Sequence, residues 1–409
     1  MSSTFPRRRF LTGIGVGAGA SALAATAATP AAAGSRQPAE RSAEDTPVAR
    51  EIVPFDGPHQ AGIDTQSQAV AWVIAFDVKE GAGREQMRRL MRTWTEDARR
   101  MSRGEPSITE LEPEMVAKPA NLSFTVGFGE GFFDAIDRRD QKPDWLGPLP
   151  AYSRDRLEER WCGGDVMLQV CCDDPMTLSH ATRYMIRNAG TYLDLRWIQD
   201  GFLNANGTRA PGETPRNRFG QLDGTVNPRT EEEFDEIVWI DSGPEWLRGG
   251  TSMVIRRIDM LIDLWELLDR KGREEVVGRT LDTGAPLGKE KEHDPADLEL
   301  RDEFGLPVVD PKSHMARSMP ADGKPGLQIR RRVYQYDHPP QPGSAESEDT
   351  GLMFICFQKD PLEQFDPIQR RLDEEDRLNE WIVHIGSAVF AIPGGTREDE
   401  YWAQSLLEG

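Results

Sequence analysis

Three short stretches of the sequence carry side chains that could do acid–base or metal chemistry. Asp223 lies in the Gly-x-x-Asp-Gly segment at 220–224, and His314 lies in a long polar stretch. Arg331 is the middle of three consecutive arginines. A carboxylate can accept and return a proton, an imidazole can bind a metal, and a guanidinium carries a fixed positive charge.

Each stretch also has a plainer interpretation. Asp-Gly is favourable turn chemistry, and a single histidine in a polar loop is usually solvated. In a strand, alternation places Arg330 and Arg332 on one face and Arg331 on the other, among apolar neighbours. An arginine on such a face needs an anionic partner, for which a buried carboxylate is sufficient. Residue types alone therefore leave structural and catalytic roles open.

Motifs of several other enzyme classes are missing. The sequence has no His-Glu-x-x-His, no Gly-x-Ser-x-Gly, no P-loop, and no Gly-x-Gly-x-x-Gly between a strand and a helix. The four cysteines form no Cys-x-x-Cys pair, so zinc and thioredoxin-type sites have no support. We therefore set hydrolase, kinase and dinucleotide-binding functions aside.

The elements that must position these residues follow a repeated order. Apolar runs and helical periodicity predict β-α-β-β-α-β in the first half, at 70–78, 86–103, 122–128, 165–172, 175–189 and 192–202. A similar order recurs at 251–258, 261–278, 328–336, 351–358, 362–372 and 381–390. This is the ferredoxin-like pattern, repeated. The sequence thus predicts an α+β fold with two antiparallel four-stranded sheets flanked by helices, in halves at 54–212 and 213–409.

A stretch of almost fifty residues separates the predicted helix ending near 278 from the strand at 328. It is rich in Gly, Pro, Asp and Lys, and it contains His314. Unstructured stretches of this length are uncommon in compact domains and are usually disordered or functional.

The N-terminus predicts an export signal. A twin-arginine pattern at 7–11 is followed by a weakly apolar Gly/Ala stretch and by an Ala-x-Ala cleavage site at 31–33. Residues 1–33 are therefore predicted to be a signal peptide, and the polar residues 34–53 a flexible linker. Twin-arginine export carries folded cargo, often with its cofactor inserted. We expect a secreted, cell-envelope or periplasmic protein.

The charge of the chain argues against nucleic-acid partners. The formal net charge is −20, and loss of residues 1–33, which hold three arginines and no acid, makes it −23. Such a chain is repelled by phosphates and by anionic lipid.

Taken together, the motifs resemble the dye-decolourising peroxidase family. The Gly-x-x-Asp-Gly segment resembles the family signature, and other family-like stretches run in family order from about residue 54 to 395. These are 57–63, 163–165 with Gln169, 277–279, 313–314, the Arg331 strand, 351–358, and Phe365 with 368–369. A single Gly-x-x-Asp-Gly is a weak signal, but the ordered set is strong.

The resemblance implies roles for the residues singled out above. His314 resembles the proximal ligand of haem iron, Asp223 the distal acid–base group and Arg331 the distal arginine. Two further stretches resemble haem contacts: Gly224, Thr225 and Val226, and then Met319, Pro320 and Ala321. An asparagine often stands at the Met319 position, so this chain departs from the family there. Arg279 could meet a haem propionate or cap its helix.

The resemblance also implies the activity. It predicts one haem b per chain in the C-terminal half, and a peroxidase that reduces hydrogen peroxide and oxidises dyes or phenolic donors through a ferryl intermediate. Bulky donors would pass electrons through surface Trp or Tyr, with Tyr334 and Tyr336 as candidates. Because the same chain carries the twin-arginine signal, the branch of the family that it resembles most is the exported, deferrochelatase-like one. The twin-arginine export machinery would then be a partner. A homo-oligomer is compatible with the resemblance.

Other functions stay open at this point. The main alternative is a deferrochelatase that releases iron from haem for an iron-uptake system. An iron- or porphyrin-binding module without turnover is another, and a haem-free relative of the same duplicated architecture is the last. The combination of Asp223 and Arg331 argues against the haem-free relative, because a distal acid with an arginine has little purpose without peroxide.

Overall fold

The computed structural model describes residues 48–210, 212–319, 328–340 and 349–409. These residues belong to one compact unit of the chain. The predicted signal peptide lies outside the described residues. At the end of the predicted linker, Ala49 O and Glu51 O accept from the backbone N–H groups of Ala120 and Asn121, at 3.3 and 2.8 Å. No helix in the described ranges is long and apolar enough to cross a bilayer.

The first half has the predicted order, with one short helix added. Its elements are β1 (Val70–Val78), α1 (Arg84–Ser102), β2 (Ser123–Phe128), α2 (Glu130–Ala135), β3 (Val166–Cys172), α3 (Pro175–Ala189) and β4 (Leu193–Phe202). The strands pair antiparallel in the order β2-β3-β1-β4. Local sequence explains the boundaries: Asp174 caps α3 by accepting from Thr177 N at 2.9 Å, and Pro175 occupies the first turn, where no N–H is needed.

The second half repeats this topology with more interruptions. It comprises α4 (Glu231–Ile237), β5 (Thr251–Met260), α5 (Ile262–Trp265), α6 (Arg270–Val277), α7 (His314–Ser318), β6 (Arg330–Arg331), β7 (Tyr334–His338), β8 (Asp349–Gln358), α8 (Phe365–Glu375), β9 (Ile382–Ile392) and α9 (Gln404–Glu408). The order β9-β5-β8, with β7 and β6 on the outer side of β8, matches that of the first half. The predicted α+β architecture of two ferredoxin-like halves is confirmed.

Two predicted elements of this half are wrong in detail. The helix predicted at 261–278 is two helices, because Asp269 caps a new helix by accepting from Gly272 N at 2.7 Å. The strand predicted at 328–336 is split into β6 and β7. Arg332 lies at the break, where its guanidinium turns to Thr65 O at 2.6 Å and to the side chain of Gln68.

The two half-sheets are joined at both edges. Phe128 pairs with Ala391 between β2 and β9, and Phe202 pairs with Gln335 between β4 and β7. The nine strands of the described residues therefore belong to one hydrogen-bonded sheet, and the β5–β8 pairing closes it into a ring. Two large apolar clusters form the core, one containing Trp94 and Phe128 and the other Tyr334 and Phe390. A third, smaller cluster contains Phe219 and Trp265, whose rings stack at 4.4 Å. It supports the loop that carries Asp223.

Candidate active site

A tight hairpin-like loop holds Asp223. The backbone N–H of Asp223 donates to Pro215 O at 2.8 Å, and Asn217 N donates to Gln221 O at 2.9 Å. The Asn217 side-chain oxygen also accepts from Phe219 N and Gln221 N, at 3.1 and 3.2 Å. These Asx-type bonds come from Asn217, whereas the sequence indicated the Asp223-Gly224 step as the turn. The resulting turn presents the carboxylate of Asp223.

The turn brings Asp223 to Arg331, although 107 residues separate them in the chain. Arg331 Nη1 donates to Asp223 Oδ1 at 2.9 Å, and Asn217 Nδ2 donates to Oδ2 at 3.3 Å. Asn227 fixes the arginine from the other side, because its amide exchanges hydrogen bonds with Arg331 N and O at 2.8 and 2.9 Å. The anionic partner that the Arg331 face requires is thus Asp223.

His314 is the first residue of a short helix whose cap is the preceding serine. Ser313 Oγ accepts from Ala316 N at 3.4 Å. His314 Nδ1 bonds to Asp376 Oδ2 at 2.6 Å, and Asp376 Oδ1 accepts from Leu378 N at 2.9 Å. Since a carboxylate accepts, Nδ1 carries the proton and Nε2 keeps its lone pair. Nε2 has no hydrogen-bond partner among the described residues, so it is available to bind a metal.

The electrostatics place His314 and the Asp223–Arg331 pair within range of each other. Burial opposes protonation of His314, but Asp376 outweighs it and raises the pKa of the imidazole above its ordinary value. Arg331 lowers this pKa and Asp223 raises it. The structure therefore brings all three predicted residues to one site.

The segment after Asp223 lines the same site. Gly224 has φ +123°, a conformation that disfavours residues with a side chain. Thr225 Oγ1 donates to Glu292 Oε1 at 2.9 Å, and the same oxygen accepts from Thr214 Oγ1 at 2.6 Å. Val226 is 61% exposed, which leaves an apolar side chain beside the charged pair without protein cover.

Arg279 does not cap its helix, so that alternative is wrong. Gly278, at φ +86°, ends α6, while Arg279 Nη1 donates to Gly284 O at 2.7 Å and Glu292 O at 2.9 Å. Burial, the largest cause, lowers the pKa of Arg279, with Arg331 adding to the effect and Glu292 opposing it. In the described ranges no carboxylate lies within 4.0 Å of the Arg279 guanidinium. This buried positive charge can therefore bind an anionic group of a ligand.

These features fit a haem. Nε2 of His314 can ligate iron, the unpaired Arg279 suits a propionate, and the uncovered Val226 suits the apolar porphyrin. Met319 follows α7, and its N–H donates to Met315 O at 3.2 Å. Pro320 and Ala321 lie outside the described residues, so this second haem contact stays a prediction.

Other residues have different positions from those expected. Tyr334 and Tyr336 are fully buried and are therefore wrong as surface electron relays. His59 has the structural place assumed for it: Nδ1 bonds to Gly249 O at 2.7 Å, and the ring stacks on Trp239 at 3.8 Å. A surface cavity of about 370 Å³ near Asp165 includes none of the site residues.

Sequence reasoning missed four residues of this site: Asn217, Asn227, Glu292 and Asp376. Asn227 lies in an Asn-Pro step that could have been noticed beside the signature. Asp376 ends a run of four acidic residues, 373–376, and no local sequence feature distinguishes it from the other three. Only the packing of α8 against α7 selects it.

Comparison with known proteins agrees with this geometry. The family models described as Dyp-type peroxidase, N-terminal, and Dyp-type peroxidase, C-terminal, match residues 60–203 and 214–397. A dye-decolorizing peroxidase from Thermobifida fusca (strain YX) is 41% identical over 364 residues, 86% of this chain and 84% of the relative. A deferrochelatase from Escherichia coli (strain K12) is 32% identical over 381 residues, 88% of this chain and 89% of the relative.

Solved structures give the same result. The DyP-type peroxidase from Cellulomonas bogoriensis has 45% identity and a TM-score of 0.85, covering 88% of this chain and 99% of that one. An oxyferrous complex of DtpA from Streptomyces lividans has 39% identity and a TM-score of 0.84, with 88% and 99% covered. The chain therefore belongs to the Dyp-type peroxidase family and is a haem peroxidase.

Proposed function

We propose that the chain reduces hydrogen peroxide at a haem held by His314 and oxidises dyes, phenols or similar donors. One observation carries the proposal. A carboxylate and a guanidinium, Asp223 and Arg331, lie 2.9 Å apart within electrostatic range of an imidazole whose Nε2 is available to a metal. This arrangement combines a proton acceptor, a fixed positive charge and an iron ligand in one place.

The distal residues divide the proton chemistry between them. Bound haem supplies a Lewis-acidic iron and a ring that can store an oxidising equivalent. Asp223 Oδ1 accepts a short bond from Arg331, whereas Oδ2 has only the 3.3 Å bond from Asn217. Oδ2 is therefore the atom that takes a proton from one peroxide oxygen and returns it to the other. Arg331 stabilises the negative charge that develops on the departing oxygen.

The proximal residues His314 and Asp376 determine how the iron ligand is oriented. Asp376 fixes the tautomer of His314 and holds its ring, so that Nε2 presents its lone pair in one direction. The negative charge of Asp376 also makes Nε2 a stronger electron donor.

The first test is an absorption spectrum of the purified protein, before and after one equivalent of peroxide. We expect a haem Soret band that changes on addition of peroxide and returns when a dye or phenol is added. A Soret band that is inert to peroxide would reject the peroxidase mechanism. Failure to bind haem, even after reconstitution, would reject the site itself.

Iron release from haem is a second candidate, favoured by the deferrochelatases that are 31–32% identical to this chain. The same pocket would hold haem as substrate and pass iron to an uptake system. Incubation with haem under reducing conditions distinguishes the two functions. Accumulation of metal-free porphyrin supports iron release, and intact haem with steady dye oxidation supports the peroxidase.

We also propose export by the twin-arginine route and, on family resemblance, self-association. The support for export is the twin-arginine pattern followed by the Ala-x-Ala site. Changing Arg7 and Arg8 together to Lys should keep the protein in the cytoplasm with its signal uncleaved. Export of the double variant would contradict this. Light scattering on the purified protein measures the oligomeric state.

A further inference from the structure

The helix that carries His314 is attached to the rest of the molecule mainly by polar contacts. Helix α7 has five residues, all of them described, and of these only Met315 is buried. Helix α3, in contrast, buries Leu178, Ala181 and Met185 among others. Because α7 is much shorter than the roughly 12–15 residues that an isolated helix needs in water, it keeps its shape only while it is docked.

Two arginines clamp α7 to α8, one from each helix. Arg317 Nε of α7 donates to Arg371 O of α8 at 3.0 Å, and Arg371 Nε donates back to Arg317 O at 3.2 Å. Arg371 Nη2 also donates to Ser318 O at 3.2 Å. Arg371 thus supplies donors to carbonyls at the end of α7 that lack a partner within the helix. We call Arg317 and Arg371 the arginine clamp.

Exposed ion pairs complete the attachment. Arg317 Nη2 lies 3.0 Å from Glu374 Oε2, and the side chain of Glu374 is 66% exposed. Lys312, which precedes the helix, lies 3.1 Å from Glu375 Oε1, and both of these side chains are about half exposed. Ion pairs in contact with water stabilise weakly and are screened by salt. Residues 312–318, which we call the strap, therefore depend on contacts that water and ions can replace.

The groups opposite His314 are attached more firmly. Arg331 lies in β6, which pairs with β8 of the sheet. The loop of Asp223 rests on the buried Phe219, whose ring stacks on Trp265. Segments with few buried apolar contacts open locally before the rest of a protein unfolds. The strap is therefore the side of the site that opens first.

We propose that the strap opens locally while the rest of the protein stays folded, and that haem enters and leaves the site through this opening. The proposal rests on His314 as the haem ligand of the proposed function. Arg317 and Arg371 are then positioning residues, because they act on the ligand through the position of its helix. Loss of the clamp should favour the open strap, and ligation of iron by His314 should favour the closed one.

The test follows haem transfer from the haem-loaded enzyme to excess apomyoglobin. It is measured at about 0.1 M and about 1 M NaCl, between which the screening length falls from about 10 Å to about 3 Å. We expect transfer to be about fivefold faster at the higher salt, because the exposed ion pairs of the strap are weakened. Arg317→Gln should reach that rate already at the lower salt and respond little to more salt.

The matched control is Arg92→Gln. Arg92 also joins two helices through an exposed glutamate, since its Nη2 lies 2.6 Å from Glu408 Oε1 between α1 and α9. Neither of these helices carries a residue of the site. This variant should transfer haem at the unaltered rate and keep the response to salt.

Hydrogen exchange of the same haem-loaded proteins, followed by mass spectrometry, locates the opening. Peptides that cover the strap should exchange about fivefold faster at the higher salt and in Arg317→Gln, whereas peptides of α3 should not change. This comparison separates a local opening from a general loss of stability, which would speed exchange in both. Removal of haem should speed exchange in the strap more than in α3.

Three outcomes overturn the proposal: transfer from the unaltered enzyme that does not respond to salt, a response that survives in Arg317→Gln, or faster exchange in the strap that is matched in α3. The first needs no variant, so a misfolded variant cannot hide failure. The proposed function fails in a different way. A protein that binds no haem rejects the haem site, and a haem-loaded enzyme whose transfer ignores salt rejects only the opening of the strap.

Discussion

Asp376 Oδ2 lies 2.6 Å from Nδ1 of His314, and the Asp376 side chain is almost fully buried. A second bond, from Leu378 N at 2.9 Å, holds the other carboxylate oxygen. This carboxylate therefore has one rigid position, which gives the imidazole one tautomer and one direction. The proximal half of the site depends on a residue 62 positions further along the chain.

Two replacements of Asp376 should distinguish its role in orienting the His314 ring from the effect of its negative charge. Asp376→Asn retains one acceptor oxygen, which can receive Nδ1–H, but it loses the negative charge and the bond from Leu378 N. We expect normal haem content and an Fe(III)/Fe(II) midpoint potential shifted to more positive values, measured by spectroelectrochemistry. Asp376→Leu should weaken haem retention about 10–100-fold, the usual cost of losing such a partner. An unchanged potential in Asp376→Asn would contradict the charge argument.

The Asp223–Arg331 pair predicts different effects on haem binding and on peroxide chemistry. Asp223→Asn removes the proton acceptor and should slow the peroxide-induced change of the Soret band by about 10²–10⁴-fold. Haem content should stay normal, because Asp223 is not a ligand. Stopped-flow absorption measures the rate, and exposed Asp399→Asn is the control.

Arg331→Leu completes a double-mutant cycle with Asp223→Asn. If the two residues act as one unit, the double variant should be no slower than the slower single variant. Multiplicative rate losses would show that they act independently. The cycle therefore decides how far the 2.9 Å bond matters to catalysis.

Arg279 should contribute to haem retention through its charge. Arg279→Gln keeps a donor for Gly284 O and Glu292 O but removes the cation. We expect faster haem transfer to apomyoglobin, by about tenfold, because a buried charged hydrogen bond is lost. Arg279→Lys should restore part of the retention. Equal transfer rates for all three proteins would mean that no propionate meets this residue.

Asp97, which lies outside the site, should make the stability of the fold depend on pH. Burial is the largest cause that raises the pKa of Asp97, from 3.8 to about 6, and the bond from Asn188 opposes it. A raised pKa means that the folded state binds the proton more tightly. The stability contributed by Asp97 is therefore full below about pH 4 and is lost as pH rises through 6.

Asp97→Asn, which can still accept from Asn188, should unfold less readily than the unaltered protein above pH 7. The expected gain is about 2 kcal/mol at pH 8, shrinking to nothing near pH 4. Denaturant unfolding at the two pH values measures it. A gain of the same size at both would point to packing and not to charge.

The sequence by itself determined the order of the elements. Alternation and helical periodicity are local properties, so β1 and α3 were predicted with the bounds that the structure has. The turn at Gly224 was also a local prediction, because an Asp-Gly step favours a turn, whereas the Asx turn before it is made by Asn217, which was not predicted. The ordered motifs were sufficient to indicate the family, which the comparisons confirmed.

Only the tertiary structure decided which groups meet. The residues around Arg331 do not indicate which carboxylate pairs with it, because any buried carboxylate could have neutralised its charge. Asp376 is one of four consecutive acidic residues, and only the packing of α8 against α7 brings it to His314. The burial of Tyr334 and Tyr336 depends on the ring formed by both half-sheets. Contacts between distant segments depend on the packing of whole elements, and local periodicity does not encode that packing.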